Sequence, residues 1–437
     1  MAANKTALNA IFKEVYEGGI AEGVNQKNPL RDLVSTEEVP FRGREIVMAA
    51  HTSRNISPMF TGEDSALPDA GSQGYINLNV TPRKLNARIR MTYEVMQDST
   101  SSEGAFVSAR KSEMQYLIDD IARRDEHALV LDGRGILARV NDADPDNSEG
   151  IVAVDDAGGV AQTTFGNRYI QPGTVVAAVD PATGAIRAGS TTTVRAVSAD
   201  GASITTDPSG LGAATAEDDW LVQAASPDTA SVGDTSYNRA WNGLMGLVHN
   251  SGAYYGQTGR EDYGHLSSYL NAATGAVSID ALQTTSDVLD QKLGSRVNVM
   301  VMHHSVRRAI VAMAGGETGL RRYTGDATMN PDAGTANFQQ GDTTFGGVTL
   351  RAIRDFPFGT IVMLDTNLCG FKEFVSEKGK WIDDDGQVLR LVGSGRDARD
   401  AFEAHYRVRK EYFMETPGAN AKLQGINATA QVVRPAG

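Results

Sequence analysis

A strand of alternating character joined to an overlong helix constrains this chain more than any other stretch. From Arg83 to Tyr93 the sequence reads RKLNARIRMTY, so Leu85, Ala87, Ile89, Met91 and Tyr93 alternate with Asn86, Arg88, Arg90 and Thr92. A period of two makes a strand with one apolar and one polar face, and here the polar face is cationic. The turn-rich MQDSTSSEG follows, in which Thr100-Ser101-Ser102-Glu103 fits a capping box whose hydroxyl and carboxylate satisfy free amides at a helix start. Beyond it Met114, Leu117, Ile118 and Ile121 form an apolar stripe, with Lys111, Glu113, Asp119, Asp120, Arg123 and Arg124 on the other side. Continued to about Leu131, where Asp132-Gly133 stops it, such a helix spans roughly 43 Å at about 1.5 Å per residue. The stretch reads as an exposed arm feeding a stiff strut. A ribbon with two such different faces is hard to bury in its own domain, so it is expected to lie on a neighbouring molecule.

The 437 residues allow about two to three domains. A formal charge of −13 argues against direct duplex binding, which needs clustered Lys and Arg, so any nucleic acid is expected to be contained rather than gripped. The single cysteine, Cys369, excludes an intrachain disulfide and a multi-cysteine metal site, and points to synthesis in a reducing compartment. The N-terminal MAANKTALNAIFKEVYEGG lacks the apolar core of a signal peptide, and no apolar run is long enough for a bilayer, so a soluble chain with no membrane partner is expected.

Residues 1–43 are polar and broken by Gly18-Gly19 and Pro29, an N-terminal arm with one short helical stretch around Leu8, Ile11, Phe12 and Val15. Residues 44–98 make a hairpin-like extended loop: a strand from Glu45 to His51, a tip rich in Pro, Gly and Asp from Ser57 to Gly74, then Tyr75 to Val80 leading into Lys84 to Tyr93. Residues 99–149 hold the long helix. From 150 to 236 strands at Thr174 to Val179, Thr193 to Ser198 and Trp220 to Ala224 are separated by turn signals such as Asp180-Pro181 and Asp207-Pro208, the pattern of an inserted small barrel or sandwich. Residues 237–375 are mixed: Ser278 caps a helix with Leu282, Val288, Leu289 and Leu293 inward and Gly294 ending it, then come a strand Val297 to Met302, a helix Ser305 to Ala314, and strands Val348 to Ile353 and Thr360 to Leu364. Residues 376–437 return to β structure, with Trp381-Ile382 and Val388 to Val392 as a hairpin across Asp385-Gly386. The fold class is α+β.

Catalytic chemistry finds no support. Gly393-Ser394-Gly395-Arg396-Asp397-Ala398 matches G-x-G-x-x-A after a strand, but a dinucleotide site needs a βαβ unit, and Ala404 to Phe413 reads as another strand. His303-His304 is the one histidine pair; neighbours in sequence point to different faces, so a capping or packing role is expected. Asp142-Ala-Asp144-Pro-Asp146-Asn147 lacks the glycine and the bidentate Glu of a calcium loop, and Asp383-Asp384-Asp385-Gly386 fails similarly, with Trp381 at the first ligand position. No enzyme activity, cofactor or metal is expected. An enzyme built on the Gly393 loop is the distant rival.

The order of the remaining features is specific. Phe60-Thr61-Gly62-Glu63-Asp64, Pro68, the Lys84-Leu85-Asn86-Ala87-Arg88-Ile89 strand and Tyr93-Glu94-Val95-Met96-Gln97-Asp98-Ser99 closely resemble the extended-loop region of tailed-phage major capsid proteins. Ile121 to Leu129 followed by Asp132-Gly133-Arg134-Gly135 resembles the end of that family's spine helix, Asn242-Gly243-Leu244 its next glycine turn, and Phe345-Gly346-Gly347-Val348 through Asp355-Phe356-Pro357 a later loop and strand. The resemblance implies the Hong Kong 97-type capsid fold: N-terminal arm, extended loop, spine helix, peripheral and axial domains, with 150–236 as a β-barrel-like insertion. It implies hexamers and pentamers closing an icosahedral shell around packaged double-stranded DNA, a virion protein assembled in the host cytoplasm. A separate scaffolding protein or none, a portal and decoration proteins are the partners it brings, and no N-terminal maturation cleavage is expected. An encapsulin-like shell enclosing protein cargo is the alternative. Inter-subunit contact is assigned to Arg42, Arg44, Glu63, Asp64, Arg83, Lys84, Arg88 and Arg90, the arginine face meeting acidic surface on a neighbour.

Overall fold

The computed structural model describes residues 30–38, 45–92, 103–142, 144–145, 149–161, 165–207, 211–272, 275–315, 343–382, 390–392 and 399–427. In chain order the elements are β1 (Ser35–Glu38), β2 (Ile46–Ser53), β3 (Gly74–Val80), β4 (Arg83–Thr92), α1 (Glu103–Val130), β5 (Ile136–Val140), β6 (Ile151–Asp155), β7 (Val175–Val179), β8 (Thr192–Thr193), β9 (Ala196–Val197), β10 (Ser203–Thr205) and β11 (Trp220–Gln223). The second half adds α2 (Leu244–Leu247), β12 (Tyr269–Asn271), α3 (Ile279–Leu293), β13 (Val299–His303), α4 (His304–Gly315), β14 (Thr343–Phe345), β15 (Val348–Ile353), β16 (Ile361–Leu364), β17 (Phe371–Trp381), β18 (Arg390–Val392), β19 (Arg399–Met414) and β20 (Ala421–Leu423). The class is α+β. The chain divides into two compact units, the first made of 1–44, 81–129 and 372–413, the second of 45–80, 130–371 and 414–437.

The first unit is a sheet in the order β1-β17-β19-β18, with β4 also paired to β19. β4 and β19 run antiparallel for ten residues, from Arg83 opposite Lys410 to Thr92 opposite Ala401. Their inner face meets α1: Leu85, Ala87, Val408, Tyr406 and Trp381 pack with Leu117, Ile118 and Ile121 of the expected helical stripe. Trp381 and Tyr406 rings meet edge-on at 5.5 Å, and a Cβ at Gly379 would fall 1.8 Å from Tyr406 Oη, so β17 needs glycine there. This corrects the expectation that the apolar face of β4 lies on a neighbour. Each apolar side chain removed from water contributes about 1.5–3 kcal/mol when fully buried, and the chain's own helix supplies that cover. The hairpin expected across Asp385-Gly386 is also corrected: β17 and β18 do not pair with each other but lie end to end along the edge of β19 opposite β4, because the 16-residue β19 is long enough to take both.

In the second unit β2 and β3 form an antiparallel hairpin, Ile46 opposite Val80 and Ser53 opposite Gly74. Its base is held by two bonds: Asn79 N donates to Tyr255 O at 2.7 Å and Gln257 Nε2 to Asn77 O at 2.8 Å. A seven-stranded sheet follows in the order β8-β7-β11-β5-β6-β10-β9. β8 and β9 stand at its two ends, yet Thr193 and Ala196 are three Cα steps apart, at most about 11 Å. The sheet is therefore closed and barrel-like, and the strand expected over 193–198 is two short strands, because the chain crosses the seam at Val194 and Arg195, whose amides bond Thr174 O and Thr205 O. The barrel takes in β5, which lies before residue 150.

The six-stranded sheet β12-β20-β16-β13-β15-β14 completes the second unit, its core built from Met300, Met302, Leu350, Ile361 and Met363 with Leu282 and Leu289 of α3 and Val306 and Ile310 of α4. Ser278 Oγ accepts from Ala281 N at 3.1 Å at the start of α3, and Gly294 at φ 68 ends it, as expected. Gly346 and Gly347, at φ 59 and 85, make the two-residue turn between β14 and β15, a left-handed pair of positions that suits glycine. A buried junction ties barrel to sheet: Arg168 Nη1 donates to Phe356 O at 2.9 Å, Tyr169 Oη to Asp355 O at 2.7 Å, and Arg168 lies 3.7 Å from the Asp355 carboxylate.

Candidate assembly interface

In an antiparallel pair, residues directly opposite one another share a face. With Leu85 opposite Val408 and Ala87 opposite Tyr406 turned to α1, the other face carries Lys84 opposite Arg409, Asn86 opposite Arg407, Arg88 opposite His405 and Arg90 opposite Glu403. Six basic side chains thus gather on one sheet surface. Carboxylates temper it: Arg88 and His405 lie 3.6 and 3.3 Å from Glu403, and Arg407 grips Glu377 through two bonds of 3.0 Å, which hold that carboxyl below its usual range. Lys84 against Arg409 is a like-charge pair, unfavourable in itself, and an anion laid over the face relieves it. The residues of this unit include equal numbers of acidic and basic side chains, so the formal −13 falls wholly on the second unit.

The other surface of interest is the tip that joins β2 to β3. Asn55 organises it, donating to Gly71 O and accepting from Ser57 N, both at 2.9 Å, and Ser65 Oγ donates to Gly62 O at 2.6 Å. Ile56 and Leu67 are 92% and 86% exposed, and Met59 and Phe60 stand exposed beside them. Glu63 and Asp64 occupy the turn, Asp64 at φ 68, where a short acidic side chain is tolerated. The tip is apolar and acidic at once.

The structure brings together Arg83, Lys84, Arg88 and Arg90 on β4, with Arg83 turned toward buried Glu411 at 3.5 Å rather than outward. Glu63 and Asp64 belong to the other unit, and Arg42 and Arg44 lie outside the described residues. The face's other half, His405, Arg407 and Arg409, comes from β19 and was not singled out in the sequence; its signal was the same alternation, Tyr406 and Val408 inward and the basic residues outward.

Sequence reasoning also missed a charged cluster inside the first unit. Arg31 donates to both carboxylate oxygens of Glu373, one at 2.7 Å; Lys410 contacts Asp125 and lies 2.8 Å from Glu373; Tyr412 Oη donates to Asp125 Oδ1 at 2.6 Å. Asp125, Glu373, Lys410 and Tyr412 are all buried. Burial works against the Asp125 carboxylate, yet Lys410, Tyr412 and Arg31 hold it below the usual range, while burial and the adjacent carboxylates push the Tyr412 phenol well up. The signals were present: Asp125 continues the stripe of Ile118 and Ile121, and Lys410 falls on the inward parity of Tyr406 and Val408.

The expected histidine pair packs. His303 Nδ1 accepts from Ser305 N at 3.1 Å, its ring meets Phe358 edge-on at 4.4 Å, and burial with Arg168 nearby lowers its pKa to about 3. The Gly393 string, itself outside the described residues, joins the antiparallel strands β18 and β19, which excludes a βαβ unit. Among the described residues no group of three or more His, Cys, Asp or Glu is placed to hold a metal, and no helix is long and apolar enough to cross a membrane.

No family model and no curated protein matches the chain. Solved structures do. The chain is similar to one titled cyanophage A-1(L) capsid asymmetric unit, at 10% identity and TM-score 0.48 over 91% of this chain and 93% of that one. It is similar to a Mycobacterium phage Adephagia chain, at 8% identity and TM-score 0.44 over 99% and 100%, and to the capsid of a native GTA particle, at 12% identity and TM-score 0.42 over 93% and 91%. Identities this low leave function to the residues themselves.

Proposed function

We propose that this chain is a major capsid protein of Hong Kong 97 type, assembling as hexamers and pentamers of an icosahedral shell around double-stranded DNA. The hairpin tip carries the reading. Four large apolar side chains of the tip, Ile56, Met59, Phe60 and Leu67, are exposed, and exposed apolar surface of this kind marks an interaction surface. A thin hairpin that ends in such a tip fits a chain that reaches onto copies of itself. The resemblance of residues 60–68, 84–99 and 121–135 to extended loop and spine helix supports the same reading, with the barrel as an insertion between peripheral and axial domains.

In this reading the tip of one copy lies over the cationic sheet face of the next. Its apolar side chains are buried there, and Glu63 and Asp64 meet Lys84, Arg88 and Arg90. Each interface is modest, but a closed shell sums them, so that the whole is stable though each contact is weak. The role is structural. A separate scaffolding protein, a portal and decoration proteins are the partners, the packaged DNA is contained without sequence-specific contacts, and the virion is the protein's place after assembly in the host cytoplasm. Electron microscopy of the purified chain tests this: closed shells are expected, and particles that never grow beyond monomers or dimers at assembly concentrations sink it. Nuclease-protected DNA inside shells recovered from cells separates a virion capsid from a compartment filled with protein cargo.

A further inference from the structure

The charged cluster of the first unit joins three parts of the chain that are remote in sequence. Arg31 comes from the short turn before β1, Asp125 from the end of α1, and Glu373, Lys410 and Tyr412 from β17 and β19. β1 itself is only an edge strand of four residues, paired in parallel with β17 from Ser35 opposite Lys372 to Glu38 opposite Val375. Leu30 and Val34 are buried on either side of Arg31, so residues 30–38 form a strap with two apolar pegs and one ionic peg.

The charge balance of the cluster depends on the strap. Two cations, Arg31 and Lys410, face two anions, Asp125 and Glu373, and Tyr412 stays neutral. Without Arg31 a buried site is left with two carboxylates and one ammonium, an arrangement that low-dielectric surroundings penalise strongly. Asp125 Oδ2 makes no hydrogen bond among the described residues and lies 3.9 Å from Arg31 Nη1. Lys410 bridges the two carboxylates, and the guanidinium is the second cation that faces both, bonded to Glu373 and set against Asp125 Oδ2.

We propose that the Arg31 strap is a lock: seated, it fixes the C-terminal half of α1 on the sheet, and withdrawn, it leaves a negatively charged socket that loosens the helix. The N-terminal segment is then a control element for the strut rather than a passive tail. The inference concerns the fold of one chain and stands whether or not the shell reading does. Because β1 is an edge strand of four residues, its release leaves the pairing of β17 with β19 in place, whereas the socket registers its departure through a single charge.

Hydrogen exchange on the full chain tests it, comparing Arg31→Ala, Arg31→Lys and the double variant Arg31→Ala with Glu373→Gln. With Arg31→Ala, amides of 117–130 and 372–381 are expected to exchange about tenfold faster or more than in the unaltered chain. Removing the orphaned charge in the double variant restores most of that protection while the strap amides of 30–38 stay fast, and Arg31→Lys falls between. If Arg31→Ala speeds exchange only within 30–38, the strap is a passive edge strand and the lock is refuted. Should Arg31→Ala fail to fold, a folded and protected double variant still supports the lock, and a double variant as loose or as unfolded as the single one overturns it.

Discussion

β4 and the β2–β3 hairpin look alike as sequence and end differently. Both alternate, and both present a half-buried strand face. β4 finds its cover within the chain, where Leu117, Ile118 and Ile121 of α1 close over Leu85 and Ala87 and β19 pairs it for ten residues. Among the described residues the hairpin's bonds to the rest of its unit are at its base, and its tip leaves Ile56 and Leu67 in solvent. Alternation therefore says that a strand has a face to bury and not who buries it. The helix that answers for β4 is separated from it by about ten residues.

The sharpest way to break the contrast is to take away what makes the first unit self-sufficient. Lys410→Met leaves Asp125 and Glu373 buried with Arg31 alone; breaking such a cluster on one side costs about 3–5 kcal/mol. Chemical denaturation should show the loss in the unit that holds β4, and a variant within about 0.5 kcal/mol of the parent would mean the cluster is wetter than its burial implies.

Acid separates the two units by window. His303 in the second unit has its pKa lowered to about 3, so the unfolded chain takes up a proton first as pH falls below the ordinary 6.5. Stability is full above 6.5 and is lost progressively toward pH 3, at about 1.4 kcal/mol per unit, roughly 2–3 kcal/mol by pH 4.5. Asp125 in the first unit is shifted down from 3.8, so its contribution is full above that value and fades only below it. Thermal melts from pH 7 to 4 should weaken the second unit first, and His303→Phe should flatten its slope.

Much of this architecture was legible. The helix stop near Asp132, the Ser278 and Gly294 caps and the strands at 175–179 and 348–353 follow from local rules of capping and period that tertiary packing did not override. What was not legible needed partners far along the chain. The barrel is closed by a two-residue seam at Val194 and Arg195, and the socket converges from residues 31, 125, 373 and 410. Alternation assigned the cationic stripe of β4 correctly but could not supply β19, which doubles it.

A matched pair of truncations reads the contrast directly. Leu85→Ala removes half-buried surface under α1 and should cost about 2 kcal/mol of subunit stability, the low end for a core leucine. Leu67→Ala, at a position 86% exposed, should change subunit stability by less than about 0.5 kcal/mol, and instead reduce the yield of shells in micrographs. If both act on stability alike, the tip is covered within the chain after all.

The smallest effect on folding, and the most selective on assembly, is expected from reversing the outer face with Lys84→Glu and Arg90→Glu. Both side chains are exposed, and surface charges contribute about 0–1 kcal/mol each to a fold. Lys84→Glu replaces the like-charge pair with Arg409 by an attractive one while Arg90→Glu sets a carboxylate opposite Glu403, so the two cross-strand effects offset and the subunit is expected to keep about its parental stability. Between copies the same change turns an attractive surface for Glu63 and Asp64 into a repulsive one, repeated at every contact in a shell. Assembly should therefore require a higher protein concentration, with the deficit shrinking as salt screens the repulsion over about 10 Å at 0.1 M. Pairing the reversal with Glu63→Lys and Asp64→Lys should recover assembly if tip and face meet. Reversed subunits that close shells at the parental concentration and low salt would show that the cationic face looks onto solvent or another ligand, leaving the apolar tip to find a different seat.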